Sequence, residues 1–98
     1  MAVGDAYVVS PATVTNGSFM DLQPASTAEA VVHNIYVPEG TAYELYYYDG
    51  ADTIKFDHDA AVGRANVQYH VTNAVYVRIK NTSGASAIFG ADGMYTHA

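Results

Sequence analysis

From residue 28 onward the chain alternates apolar and polar residues in run after run, and that period of two narrows the possible folds more than any other feature. Side chains of a strand point alternately to its two faces, whereas a helix brings every third or fourth residue to one side. Residues 28–37 place Val31, His33, Ile35 and Val37 on one face and Val32, Asn34 and Tyr36 on the other. Residues 41–48 oppose Tyr43, Leu45 and Tyr47 to Ala42, Glu44, Tyr46 and Tyr48. Further on, Ile54 and Phe56 stand against Thr53, Lys55 and Asp57, and Val67, Tyr69 and Val71 against Asn66, Gln68, His70 and Thr72. Val75, Val77 and Ile79 oppose Tyr76, Arg78 and Lys80. Residues 86–89 and 93–96 read as two short closing strands, and no window shows a convincing helical period.

The segments between the runs carry turn chemistry: Pro38-Glu39-Gly40, Asp49-Gly50-Ala51-Asp52, Asn81-Thr82-Ser83-Gly84 and Ala91-Asp92-Gly93. Asp49 to Asp52 reads as a hairpin loop with Gly50 at positive φ. The longer stretch 57–65, which carries Gly63, is expected to cross between sheets or over the top of the sandwich. The first 25 residues alternate only around Tyr7 to Val9 and Phe19 to Leu22. They admit two readings: edge strands interrupted at Pro11 and Pro24, or an extended arm that orders against a neighbour. The expectation is an all-β fold, an antiparallel β-sandwich of about eight short strands, jelly-roll or Greek-key like. It comprises one domain, with residues 1–25 as N-terminal arm or edge strands and residues 26–98 as the sandwich. Val31, Ile35, Leu45, Ile54, Phe56, Val67, Val71, Val75, Val77 and Ile79 are its expected core.

A chain of 98 residues fits one domain and has no room for a second. With no cysteine it has neither a disulfide framework nor a thiolate for metal or catalysis. Four Lys or Arg against ten Asp or Glu give a net charge of −6, which repels phosphate backbones and anionic lipid, so neither nucleic acid nor membrane is an expected partner. The first residues lack the pattern of a signal peptide, and synthesis in the cytoplasm is expected. Only 14% of residues are charged, against about 25% in a typical soluble domain, while nine are tyrosine. Few charges and many tyrosines suit a surface made for contact, because tyrosine offers large area at small entropic cost.

No catalytic, cofactor-binding or metal-ligating set is expected. Asp57-His58-Asp59 with Asp49 and Asp52 is the densest group of oxygen donors, but its spacing matches no EF-hand, and carboxylates at strand ends commonly cap local amides. His33 falls on an apolar face, His70 on a polar one, and no two histidines share a ligand spacing on one element. No serine sits in a Gly-x-Ser-x-Gly elbow. Tyr36, Tyr46, Tyr48 and Tyr76 lie opposite the main apolar sets and form the candidate interface, with cross-strand pairing on an ordinary exposed sheet as the competing account.

Several segments together resemble small proteins of tailed bacteriophages. They are Val32-His33-Asn34-Ile35-Tyr36, Glu44-Leu45-Tyr46 leading to Tyr48-Asp49-Gly50, and Ile54-Lys55-Phe56-Asp57. Val67-Gln68-Tyr69-His70-Val71-Thr72-Asn73, Val77-Arg78-Ile79-Lys80-Asn81-Thr82 and Ile88-Phe89-Gly90-Ala91-Asp92-Gly93 continue the pattern. The resemblance, to small β-sandwich head-associated proteins that decorate capsids, implies a virion structural protein on the outer surface of the head. Its implied partners are the major capsid protein and copies of itself, as a homo-oligomer and in particular a trimer. The alternative is a receptor- or glycan-binding module of a phage fibre or tail, in which exposed tyrosines stack on sugar rings. An enzyme is not expected.

Overall fold

The computed structural model describes residues 2–97; Met1 and Ala98 lie outside the described residues. Eight strands follow in order: β1 (Ala6–Val14), β2 (Phe19–Leu22), β3 (Glu29–Tyr36), β4 (Tyr43–Tyr48), β5 (Thr53–Asp59), β6 (Tyr69–Thr72), β7 (Tyr76–Asn81) and β8 (Ala87–His97). They form two antiparallel four-stranded sheets, ordered β1-β8-β3-β6 and β2-β7-β4-β5. Only β4 and β5 are joined as a hairpin within one sheet; each of the other connections crosses to the opposite sheet. At that hairpin Gly50 takes φ 100°, and Asp49 Oδ1 accepts the amides of Ala51 at 3.0 Å and Asp52 at 2.8 Å. The sequence expectation of an all-β antiparallel sandwich is what the chain forms.

The inner faces meet in one core. Leu22, Ala30, Val32, Tyr43, Leu45, Val71, Ile79 and Phe89 are fully buried there, joined by Ile35, Val77 and Ala91. Strict alternation assigned the wrong face to the first half of β3. The strand enters with Ala30 and Val32 inward and leaves with Ile35 inward, because a bulge between Val32 and Asn34 inserts an extra residue opposite β8. One extra residue exchanges the faces. Val31 is therefore only half-buried and lies outward, beside Met94 and His70.

Ile54 and Phe56, also expected in the core, are exposed at 52% and 45%. Both belong to β5, the edge strand of its sheet, where a second bulge opposite Leu45 and Tyr46 bends the strand and the four residues of β6 give little cover. Val67 and Val75 are half-buried, in the connections that flank β6. The missing core volume comes from the N-terminal region. Tyr7 and Val14 on β1, and Met20 and Leu22 on β2, all point inward. Both strands are sheet edges, β1 against β8 and β2 against β7. Pro11 sits at a register shift within β1, where an edge strand tolerates a missing amide donor.

The two closing strands read from residues 86–89 and 93–96 are one, β8, and Ala91-Asp92-Gly93 lies inside it rather than in a turn. Gly93 faces the bulge of β3: a Cβ on it would stand 1.8 Å from the Val31 carbonyl oxygen and 2.8 Å from Val32 Cα. The glycine admits a close backbone approach, the other common reason for glycine within a strand.

Candidate functional site

The outer face of the β2-β7-β4-β5 sheet gathers three of the four cations of the chain, Lys55, Arg78 and Lys80, with the aromatic rings of Phe19, Tyr46 and Tyr48. Strand pairing sets them in three rows across the sheet. Phe19, Lys80, Glu44 and His58 form the first, and Asp21, Arg78, Tyr46 and Lys55 the second. Tyr76, Tyr48 and Thr53 form the third.

Arg78 is the hub. Its guanidinium lies 4.2 Å above the centre of the Phe19 ring and 5.8 Å from that of Tyr48, and its Nε donates to Asp21 Oδ1 at 2.7 Å. Tyr46 meets Phe19 edge-on, with centroids 5.4 Å apart, and donates its hydroxyl to Glu44 Oε1 at 2.6 Å. Lys55 Nζ donates to the other Glu44 oxygen at 3.0 Å. The hydrogen bonds from Tyr46 and Lys55 hold the Glu44 carboxyl below its ordinary pKa, and the bond to Glu44 raises that of the Tyr46 phenol. Tyr48 and Tyr76 pack at 5.1 Å. The face is a pre-ordered mesh, in which the long side chains have already given up much of the freedom that binding would cost them.

Three of the four tyrosines singled out from the sequence, Tyr46, Tyr48 and Tyr76, come together on this face. Tyr76 is 9% exposed, so its ring props Tyr48 from below rather than meeting solvent. Tyr36 lies on the opposite side of the molecule, on the outer face of the β1-β8-β3-β6 sheet, and donates its hydroxyl to Asp92, which also accepts from Asn34 Nδ2 at 2.8 Å. That bond raises the pKa of the Tyr36 phenol. Sequence reasoning missed Phe19 and Arg78 as members of the mesh; the pairing of β2 with β7 brings them together, and no local pattern announces it.

Three of the four aspartates noted as possible metal ligands, Asp49, Asp57 and Asp59, have other partners. Arg64, in the crossing segment after β5, clamps Asp57 in two bonds, Nε to Oδ2 at 3.1 Å and Nη2 to Oδ1 at 3.0 Å. Its Nη1 reaches Asp59 Oδ2 at 2.7 Å. Asp59 also accepts the amides of Ala61 and Ala60, which lower its pKa, and Asp49 is lowered by the amides of its turn. Among the described residues no three His, Asp or Glu side chains are grouped to hold a metal ion.

Two shallow concavities lie on the surface. One, of about 350 Å³, lies between the end of β3 and the crossing segment around Arg64. The other, of about 320 Å³, opens between the edges of β5 and β6 and is lined by Tyr47, Phe56, Gln68, Tyr69, His70 and Val77. Phe56 and Tyr69 meet there edge-on at 5.5 Å. No protein-family model matches the chain, and no curated protein is significantly similar to it.

Proposed function

We propose that the chain is a virion structural protein, a capsid decoration protein that binds the outer surface of a phage head through the outer face of the β2-β7-β4-β5 sheet. The observation that carries this reading is the mesh of Phe19, Tyr46, Tyr48 and Arg78: arginine and tyrosine are, with tryptophan, the residue types enriched at energetic centres of protein interfaces, and here they are held in place beforehand. The sequence resemblance to head-associated phage proteins points the same way. So does the nested pairing of β1 with β8, β2 with β7, β3 with β6 and β4 with β5, which fits a jelly roll, an architecture shared by viral capsid domains. In this reading the working form is a homo-oligomer, a trimer as the resemblance implies, bound to the major capsid protein without catalysis.

Mass spectrometry of purified particles of the encoding phage is expected to find the chain at a copy number comparable to that of the major capsid protein. Tyr48→Asp is expected to fold and to be missing from those particles. Absence of the unaltered chain from particles defeats the proposal. The cavity between β5 and β6 favours one other reading, a glycan-binding module, because Tyr47 and Phe56 present exposed rings beside Gln68 and His70. Glycan-array binding that is lost in Phe56→Ala would support it.

A further inference from the structure

Charge is distributed unevenly between the two broad faces. The strands of the β1-β8-β3-β6 sheet contain no Lys or Arg. Of the four cations in the chain, Arg64 is clamped by Asp57 and Asp59, and the other three, Lys55, Arg78 and Lys80, lie on the outer face of the second sheet. Asp21 occupies Arg78 and Glu44 occupies Lys55. Lys80, opposite Glu44 on the neighbouring strand, adds to the attraction on that carboxylate but makes no ion pair among the described residues; its ammonium lies 5.9 Å from the Phe19 ring centre. This face therefore carries three cations against two carboxylates on a chain whose net charge is −6. An anionic partner is repelled by most of the molecule and attracted to this one side, which orients the encounter as well as favouring it.

We infer that the outer face of the β2-β7-β4-β5 sheet docks on a carboxylate-rich protein surface, with Lys80 as the free cation and Phe19 and Tyr48 as the aromatic contacts around Arg78. This rests on the docking reading above and names the chemistry of the partner. A nucleic acid fits poorly, because affinity for phosphates grows with the number neutralised and only one lysine here is unpaired. A neutral sugar would use the rings and leave Lys80 without a counterpart.

The test is a titration of the isotope-labelled full chain with poly-L-glutamate at low salt, followed by amide chemical shifts. Saturable shifts are expected at Phe19, Tyr46, Arg78 and Lys80, fading as salt screens the charges. Lys80→Arg should retain them. Lys80→Gln, and more strongly Lys80→Glu, should weaken binding, the latter on the order of tenfold. Lys80→Gln adds no repulsion with Glu44 and gives up only a weak surface attraction to it, so its melting temperature should stay close to that of the unaltered chain. Shifts that are absent, that fall on the other sheet, or that persist undiminished in both Lys80→Gln and Lys80→Glu overturn the inference. Tighter binding of polygalacturonate or oligothymidylate to the same face overturns the protein partner in favour of a sugar or nucleic acid. Binding of polyglutamate by a chain absent from particles defeats the decoration reading alone. Particles that incorporate Lys80→Glu normally defeat the surface assignment alone.

Discussion

Tyr7 and Asn81 are both buried and polar, yet they sit in opposite states of satisfaction. Asn81 Nδ2 donates to the carbonyls of Val14 at 2.7 Å and Ala85 at 2.8 Å, while its Oδ1 accepts from the amide and hydroxyl of Ser83 at 2.9 and 2.7 Å. Its four bonds tie the end of β1 to the turn between β7 and β8. Tyr7 is 4% exposed, stacks edge-on with Tyr95 at 5.4 Å, and its hydroxyl has no hydrogen-bond partner among the described residues. An unsatisfied buried hydroxyl costs about 1–3 kcal/mol, so Tyr7→Phe, which keeps the ring and removes the oxygen, should raise stability by about 1 kcal/mol in urea denaturation. Burial, with a smaller effect from Tyr95, pushes the Tyr7 pKa up to about 12 from an ordinary value of 10.0. The folded state therefore holds a proton that the unfolded state releases first. The stability linked to Tyr7 is complete below the ordinary tyrosine pKa and drains away as pH rises through about 12, at about 1.4 kcal/mol per unit at most. Tyr7→Phe should flatten part of this alkaline loss; Tyr43, Tyr69 and Tyr76, also raised by burial, and Tyr36 and Tyr46, raised by their hydrogen bonds to carboxylates, keep the remainder. An identical alkaline decline in the variant would refute the assignment.

At the scale of elements, the contact between β3 and β8 decides which residues enter the core. The bulge in β3 and Gly93 in β8 are two halves of one device, since the extra residue needs a neighbour without a side chain. Gly93→Ala should therefore destabilise by about 3 kcal/mol, seen as a lower denaturation midpoint with an unchanged slope, because its Cβ meets backbone atoms that cannot turn aside. An unaltered midpoint would show that the strands re-register freely. This device also marks the limit of what the sequence disclosed. Alternation located β3, β4, β5 and β7 and the hairpin at Gly50, because each depends on neighbours in the chain. It gave Val31 the wrong face and read Gly93 as a turn, because a bulge depends on the strand opposite. Tyr46, Tyr48 and Tyr76 were legible as one outward set on β4 and β7, but the burial of Tyr76 and the arrival of Phe19 from β2 follow from pairing between distant segments. The weakly patterned N-terminal segment supplies two edge strands and Tyr7, so removing residues 1–9 would strip core rather than a free arm.

At the scale of the whole molecule, the pairing is nested: β4 meets β5, then β3 meets β6, β2 meets β7 and β1 meets β8. Each step outward joins segments farther apart in sequence, and the outermost pair encloses residues 15–86. Loop closure costs only slowly more with length, but none of it is repaid until the distant strands pair, so folds of this kind form in roughly milliseconds to seconds rather than microseconds. β8 has a special place in this order. It is the eighth strand in sequence, yet it lies inside its sheet between β1 and β3 and carries the buried Phe89 and Ala91. Without it, β1 loses the ladder that holds it to the sheet, β3 keeps its pairing with the short β6, and the aromatic contact of Phe89 with Tyr43 disappears. Such a loss exceeds what a small domain can absorb from about 5–15 kcal/mol of total stability. A chain ending at Ser86 should therefore show no cooperative melt and no strand signature by circular dichroism. A peptide of residues 87–98 added in trans should restore both, since the remaining strands still present the slot it fills. A truncated chain that melts cooperatively by itself would mean that the β2-β7-β4-β5 sheet stands alone, and would overturn this account of how the sandwich is held together.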